Sequence, residues 1–244
     1  MVVRKGLSED VEDLKKELKD LMENKDLRLK IREKAWDTVK NRDDRRMANE
    51  VNKLYWSVYK KQFPLISVIM PTRDNPQAFT DSFLGALQQD YGKFEIVVVD
   101  SGELPIKRIV DEARKNANIT IKYIYFNPKG EYSLAEARNR GVVEADGHAL
   151  VFCDDRIKMK HNAVSVFATY QRPKTWLWGK KDWAVKAFVE NFSCVQRADL
   201  VNGGMFNERI KWYGGMSQEI RERFERNGDV EFVFMEEAEA ESVR

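Results

Sequence analysis

The feature that most constrains the fold is a series of uninterrupted apolar runs, each of which ends abruptly in polar residues. The runs are "LISVIMPT" at 65–72, "FEIVVVD" at 94–100 and "ALVFCDD" at 149–155. Stretches with helical spacing of apolar residues separate them. Strands that are apolar throughout are typical of parallel sheets covered by helices on both faces. The sequence therefore predicts an α/β fold with a mostly parallel sheet.

The polar residues at the strand ends are predicted to form one site, because ligands of open α/β sheets bind beyond the carboxyl ends of the strands. The ends carry Thr72-Arg73-Asp74, Asp100-Ser101-Gly102 and Asp154-Asp155-Arg156. The two adjacent carboxylates of the third end repel each other and lose hydration at the edge of the core. We therefore expect a cation beside them, which is a metal ion, the Arg156 guanidinium, or both.

Composition and motifs exclude several classes of protein. The net charge of +2 in 244 residues gives no sign of nucleic-acid binding. Neither GxGxxG nor GxxxxGK(S/T) occurs, which disfavours a dinucleotide-binding Rossmann domain and a P-loop. The two histidines and two cysteines match no zinc-site or disulfide pattern. Because neither a signal peptide nor a transmembrane segment is recognisable, we expect a cytoplasmic protein.

The chain is predicted to have three parts. Residues 1–62 read as a helical extension, residues 63–232 as the α/β domain, and residues 233–244 as an acidic, disordered tail. The extension carries three amphipathic stretches: Val11, Leu14, Leu18 and Leu21; Leu27, Ile31, Ala35, Trp36 and Val39; and Met47, Val51, Leu54, Tyr55 and Val58. We expect their apolar faces to pack on the main domain or on a second copy in a homo-oligomer. The alternative is a surface for a partner, an acceptor or anionic lipid.

Four segments resemble the family-2 glycosyltransferases of the GT-A fold. They are "PLISVIMPTRDNP", "LQQDYGKFEIVVVDSG", "AEARNRGVVEADGHALVFCDD" and "VNGGMFNERIKWYGG", which occur in the family's order over about residues 64–228. The resemblance implies a Rossmann-like, mostly parallel sheet with helices on both faces. It also implies transfer of a sugar from a UDP- or GDP-type nucleotide-diphosphate sugar to an acceptor, with inversion and with Mn²⁺ or Mg²⁺ as cofactor.

The resemblance also implies roles for individual residues. The donor-binding residues would be Pro71, Thr72, Arg73, Asp100, Arg138, Asn139, Asp154 and Arg156. Asp100 suits a nucleotide base or ribose, whose N–H and O–H groups a carboxylate accepts; its alternative role is a turn cap. Arg138 suits phosphate oxygens; its alternative is a solvent-facing helix position. Asp155 would act in catalysis by holding the cation that neutralises the departing diphosphate.

The sequence departs from the family pattern at the acidic motif. Arg156 stands where the family commonly has a third acid, which is often a metal ligand. Either Asp155 supplies the metal contact and Arg156 is a second cation, or Arg156 partly replaces the metal. His161 follows shortly afterwards and is a candidate extra metal ligand, although a lone histidine is more often structural or exposed.

The second departure concerns the catalytic base. Inverting family members carry Glu-Asp at the start of a helix after a glycine pair or a Tyr-Gly pair, and one of these acids deprotonates the acceptor hydroxyl. Met216 and Ser217 occupy those places here. The nearest acid, Glu219, is the candidate base, and its alternative role is a charge at a helix N-terminus. The missing acids also favour a second hypothesis, a non-catalytic sugar-nucleotide-binding or assembly module descended from a glycosyltransferase.

Overall fold

The structure, a computed structural model, describes residues 15–16, 19–40, 64–104, 106–127, 133–181, 187–211, 215–227 and 230–243. The chain divides into two compact units, Met1–Lys61 and Gln62–Arg244. In the first unit, helix α1 is Lys25–Lys40, and its Leu29 and Ile31 side chains are exposed. Of the predicted amphipathic stretches, Val11, Leu14, Leu18, the third stretch, and the side chains of Trp36 and Val39 lie outside the described residues.

The second unit alternates strands and helices in its first half and then becomes mainly β. Its elements are β1 Ile66–Thr72, α2 Pro76–Leu87, β2 Phe94–Asp100, α3 Lys107–Asn116, β3 Thr120–Tyr125, α4 Leu134–Glu144, β4 Ala149–Cys153, β5 Ile157–Met159, α5 Ala163–Tyr170, β6 Thr175–Lys181, β7 Phe192–Gln196, α6 Arg197–Asn202, α7 Met216–Asn227 and β8 Glu231–Ser242.

Within the described residues these strands form one eight-stranded sheet in the order β3-β2-β1-β4-β7-β6-β8-β5. The first four strands in this order are parallel to one another. Strand β7 runs antiparallel to both of its neighbours, β4 and β6, whereas β8 is parallel to β6. The predicted α/β class with a mostly parallel sheet is confirmed, with an antiparallel strand inserted beside β4.

The apolar runs become strands because they are buried on both faces. Every position of β1, β2 and β4 is buried, as expected for the centre of a parallel sheet. Helix α4 packs directly on β1, since a Cβ added at Gly141 would lie 2.5 Å from Cγ2 of Ile69. This close approach requires glycine at that position. It also draws the side of α4 that carries Arg138 into the core, where that residue is 0% exposed.

The prediction of a disordered tail at 233–244 is wrong, because strand β8 occupies most of this segment. The strand lies between β6 and β5 and pairs with both. Its buried hydrophobic positions are Met235, Ala238 and Ala240. At its start, the ring of Phe232 stacks on Trp176 with centroids 5.8 Å apart. Residues 231–242 are therefore part of the sheet.

The acidic composition of this segment conceals a strand pattern. Alanine alternates with glutamate in "AEAES", and alternation with a period of two is typical of a strand with one buried face. The alanines point inward, and outward acids pair with lysines of neighbouring segments, in the pairs Lys160–Glu241 and Lys180–Glu239. Because alanine is only weakly apolar, the alternation does not stand out in the sequence.

Substitution at Ala238 tests whether β8 belongs to the sheet. Ala238 is fully buried, whereas the adjacent Glu237 is exposed. Overpacking by Ala238→Leu should lower the free energy of unfolding by about 1–3 kcal/mol, measured by urea denaturation. The matched change Glu237→Leu should alter it by less than about 0.5 kcal/mol. Equally small effects of the two variants would mean that the segment is not packed in the sheet.

Candidate active site

The loops that follow β1, β2 and β4 meet at one edge of the sheet. The backbone N–H of Ser101, after β2, donates to the carbonyl of Thr72 at 3.1 Å. The hydroxyl of Thr72 donates to Oδ2 of Asp155, after β4, at 2.9 Å. Asp74, after β1, accepts the backbone N–H of Glu103 at 2.6 Å. These contacts bring the three predicted strand ends together.

The loops border a pocket of about 590 Å³, a volume typical of small-molecule sites. Predicted site residues that line it are Pro71, Thr72, Arg73, Asp154, Asp155 and Arg156. The lining also includes Lys181, Glu190 and Lys211, which the sequence did not single out for this site, and Met216 and Ser217, which stand where the family has its acids. The described lining therefore combines cationic side chains with carboxylates, a mixture that suits a phosphorylated ligand and a cation.

Asp155 is the carboxylate best placed to meet a cation in the pocket. Burial raises the pKa of Asp155 to about 6, although the hydrogen bond from Thr72 opposes the rise. Fixed cations bound in the pocket would favour the ionised form. A hard divalent cation is often held by one or two carboxylates together with substrate phosphates and water. Asp155 therefore fits as a single protein ligand for such an ion.

Arg138 is the cation beside the other carboxylate of the pair. Its Nη2 donates to both oxygens of Asp154 at 2.9 Å. Burial raises the pKa of Asp154, against the opposing charge of Arg138. The guanidinium is fully buried behind the pocket wall, and the predicted contact of Arg138 with donor phosphates stays a prediction. The sequence predicted a metal ion, Arg156 or both beside the acid pair; the structure places Arg138 against Asp154, whereas Arg156 is exposed at the pocket.

Glu190 pairs with the same Arg138 guanidinium as Asp154. Nη1 of Arg138 donates to Oε1 of Glu190 at 2.9 Å, and the hydroxyl of Ser217 donates to Oε2. Burial opposes ionisation, but the charge of Arg138 and the bond from Ser217 leave the pKa of Glu190 below its ordinary value. The side chain is 11% exposed. Glu190 thus borders the pocket as an ionised carboxylate held by α4 and α7.

Asp100 and Asn139 have structural partners and do not line the pocket. Asp100 is 0% exposed and accepts the N–H groups of Gly102 and Ile106, at 3.0 and 3.2 Å. These bonds are those of the alternative role, a turn cap, and the donor contact of Asp100 stays a prediction. Asn139 bonds both backbone groups of Phe206, so it fastens the loop after α6, and its predicted donor contact stays a prediction.

Glu219 and His161 are also not pocket residues. Glu219 lies in the first turn of α7 and accepts from Nε of Arg223 at 2.8 Å. His161 is exposed in the turn after β5. Among the described residues, no group of three or more His, Cys, Asp or Glu side chains is arranged to hold a metal ion. The predicted base and the predicted second metal ligand are therefore not brought together with Asp155.

Glu190 was not assigned to the site from the sequence, because its position depends on the direction of β7. Strand β7 is antiparallel to β4, with Phe192 opposite Cys153. The residues that precede β7 therefore lie at the same sheet edge as the residues that follow β4. The rule applied to the sequence considers only carboxyl ends of parallel strands. The available signal was an acid within the otherwise largely apolar "FVENF", directly before a strand.

Comparison with known proteins agrees with this geometry. Residues 67–169 match the family model described as Glycosyl transferase family 2. WcaA of Escherichia coli, named as a colanic acid biosynthesis glycosyl transferase, is 26% identical over 112 residues. That match covers 46% of this chain and 39% of the relative. The chain thus spans about two fifths of the length of this relative.

Two solved structures share the fold. The mannosyltransferase PcManGT from Pyrobaculum calidifontis, in complex with GDP-Man and Mn²⁺, superposes with a TM-score of 0.59 at 18% identity, covering 75% of this chain and 57% of that one. TarS 1–349 of S. aureus, in complex with UDP-GlcNAc, gives a TM-score of 0.59 at 17% identity, covering 73% and 58%.

The sheet order, the strand-end pocket and these superpositions define the α/β unit as a GT-A fold. Within it, residues 67–169 are the part that matches the family model described as Glycosyl transferase family 2. Among the residues that the structure describes, no helix has the length and apolar character needed to cross a membrane.

Proposed function

We propose that this chain transfers a hexose-type sugar from a UDP- or GDP-sugar to an acceptor hydroxyl, with inversion at the anomeric carbon. The observation that carries the proposal is the strand-end pocket, in which Asp155 lies among Arg73, Arg156, Lys181 and Lys211. A nucleotide diphosphate needs this combination of positive charge and a carboxylate that binds a cation. The complexes of PcManGT with GDP-Man and Mn²⁺ and of TarS with UDP-GlcNAc support the donor class.

In this proposal each pocket residue has a separate task. Pro71, Thr72 and Arg73 border the nucleotide, and Thr72 also fixes Asp155 through its 2.9 Å hydrogen bond. Asp155, with diphosphate oxygens, would hold Mn²⁺ or Mg²⁺, which supplies charge neutralisation of the leaving group. Arg156 would contribute a second positive charge to the same diphosphate. Arg138 acts from behind the wall by holding Asp154 in place.

The non-catalytic alternative rests on Met216 and Ser217, which leave the start of α7 without the expected acids. Both functions predict donor binding, and only the first predicts release of nucleoside diphosphate. A thermal-shift series with UDP-GlcNAc, UDP-glucose and GDP-mannose, with and without Mn²⁺, tests binding. A donor at a hundred times its Kd stabilises the native state by about 2.7 kcal/mol. If no donor raises the Tm, both functions are excluded; binding without diphosphate release favours the alternative.

Arg156→Gln tests the contribution of this residue to donor binding. The guanidinium lines the pocket and is exposed there, and a charge-assisted hydrogen bond contributes about 1.5–3 kcal/mol. The variant should raise the Kd of the best donor about 10- to 100-fold, measured by calorimetry with Mn²⁺. Arg172→Gln is the control, because Arg172 is exposed and lies outside the pocket lining. Equal affinities of the two variants would remove Arg156 from the donor site.

Two further proposals concern the setting of the enzyme. We propose that residues 1–62 form a helical extension through which copies of the chain associate, supported by the exposure of Leu29 and Ile31 on α1. Light scattering should then give fewer copies of the chain per particle for a chain that starts at residue 63.

We also propose a cytoplasmic location, supported by the free, buried state of Cys153 and Cys194, and checked by fractionation.

A further inference from the structure

We propose that Glu190 is the general base that takes the proton of the acceptor hydroxyl. The inference rests on the transfer proposed above and assigns its missing proton acceptor. A transfer to a hydroxyl group needs a carboxylate or an equivalent base beside the acceptor. In the described lining of the pocket, the carboxylates are Asp154, Asp155 and Glu190.

Two of these three carboxylates, Asp154 and Asp155, directly follow β4, at the strand end where the diphosphate is proposed to bind. Both oxygens of Asp154 receive hydrogen bonds from Nη2 of Arg138 at 2.9 Å. Asp155 is bonded to Thr72 at the end of β1, on the side of the pocket where the diphosphate is proposed to bind. Glu190 precedes β7, and its neighbours in the lining include the first residues of α7. Glu190 is therefore the carboxylate that lies beside α7, away from the proposed diphosphate position, where an acceptor hydroxyl can bind.

The hydrogen bonds of Glu190 orient the carboxylate and leave it able to accept more. Each oxygen has one donor in the structure, Arg138 on Oε1 and Ser217 on Oε2. A carboxylate oxygen has two acceptor sites, so an acceptor hydroxyl can still bond to either one. Apolar side chains of Val189, Ile210 and Met216 also line the pocket. Such walls reduce competition from water for the same oxygens.

The charge balance allows Glu190 to gain a proton without leaving an unpaired cation. Asp154 and Glu190 both bond to the single guanidinium of Arg138. After proton transfer, Arg138 keeps its two bonds to Asp154 and the protonated Glu190 is neutral. The buried guanidinium therefore remains paired throughout the step, which avoids the large cost of an isolated buried charge.

The reaction step is then a direct displacement. The acceptor O–H bond breaks and its proton passes to a Glu190 carboxylate oxygen. The acceptor oxygen forms a bond to the anomeric carbon as the bond from that carbon to the diphosphate oxygen breaks. The electron pair of the broken bond leaves with the nucleoside diphosphate, and Glu190 returns its proton to water. Ser217 orients the carboxylate from the helix position where the sequence lacks the expected acid.

The test compares Glu190→Gln with two control variants of α7, Glu219→Gln and Glu225→Gln. Glu225 pairs with Arg221 and lies outside the pocket lining. Water stands in for the acceptor, and released diphosphate from UDP-GlcNAc, UDP-glucose or GDP-mannose gives the rate. Glutamine keeps the size and the acceptor oxygen. Glu190→Gln should lower kcat by about 10²- to 10⁴-fold while the donor Kd stays within about threefold. The other two variants should remain close to wild type.

Azide separates a base from a positioning residue. It attacks the anomeric carbon as an anion, so it needs no deprotonation. In Glu190→Gln, formation of the glycosyl azide should match that of wild type while hydrolysis is lost. Equal losses of both reactions would overturn the assignment and give Glu190 a positioning role. Unchanged hydrolysis in Glu190→Gln would overturn the assignment alone, whereas a wild-type chain that releases diphosphate from none of the donors would overturn the proposed function as well.

Discussion

Arg138→Met should lower the free energy of unfolding by about 3–5 kcal/mol, the cost of leaving a buried ion pair without one partner. The guanidinium is 0% exposed and pairs with Asp154 and Glu190 at 2.9 Å. Methionine fills much of the same volume but leaves both carboxylates without their cation. Chemical denaturation followed by tryptophan fluorescence measures the free energy of unfolding. The variant should also lose donor binding, because Asp154 borders the pocket.

The matched control is Arg140→Met on the same helix. Arg140 is exposed and pairs with Glu136, so its replacement should cost less than about 1 kcal/mol. If the two variants lose equal stability, the buried position of Arg138 is incorrect.

The pH dependence of the Arg138→Met variant has a definite sign. Without the guanidinium, we expect burial to outweigh the bond from Ser217 to Glu190 and the charge of Lys181 on Asp154, which raises the pKa of each carboxyl above its unfolded value of about 4. Between the unfolded pKa of about 4 and the raised folded pKa, the folded variant binds protons that the unfolded chain does not. The stability of the variant therefore falls as pH rises through this range. The deficit relative to wild type should therefore be largest at neutral pH and shrink towards pH 5. A deficit that is constant with pH would mean that lost packing, not charge, is responsible.

Local sequence patterns were sufficient for the architecture and for part of the site. Continuous apolar runs report burial on both faces, and that requirement holds wherever the strands end up in the sheet. The polar residues after β1 and β4 follow from the same patterns, so Thr72 and Asp155 were assigned to one site from their positions alone. The structure joins them by a hydrogen bond across 83 residues of sequence.

The direction of individual side chains could not be predicted in the same way. Arg138 has the same sequence context whether it faces a phosphate or the core. Its direction is decided by Asp154 and Glu190, which lie 16 and 52 residues away. Glu190 itself reaches the pocket only because β7 is antiparallel to β4, and strand direction depends on the whole sheet. The segment "VVVDSG" likewise left open whether Asp100 binds a ligand or caps its own turn.

Asp155→Asn should abolish metal-dependent donor binding and at the same time stabilise the ligand-free protein. Burial raises the pKa of Asp155 from 3.8 to about 6, which corresponds to about 3 kcal/mol against the charged form at neutral pH. An amide avoids this cost and still accepts the hydrogen bond of Thr72 through its oxygen. We therefore expect a gain of about 1–3 kcal/mol, measured by denaturation without nucleotide or metal, since the amide N–H groups must also find partners.

The dependence of this gain on pH separates a charge effect from a packing effect. Between the unfolded pKa and about 6, the folded wild type binds the extra proton, so its stability falls as pH rises through that window. The advantage of Asp155→Asn should thus be full above pH 6 and disappear near pH 4. Asp111→Asn is the control of opposite sign, because the hydrogen bond from Lys107 helps to lower the pKa of Asp111. Calorimetry with UDP-GlcNAc or GDP-mannose and Mn²⁺ measures the functional loss in parallel. An Asp155→Asn variant that binds donor normally in the presence of metal would show that the cation, if required, is held elsewhere in the pocket.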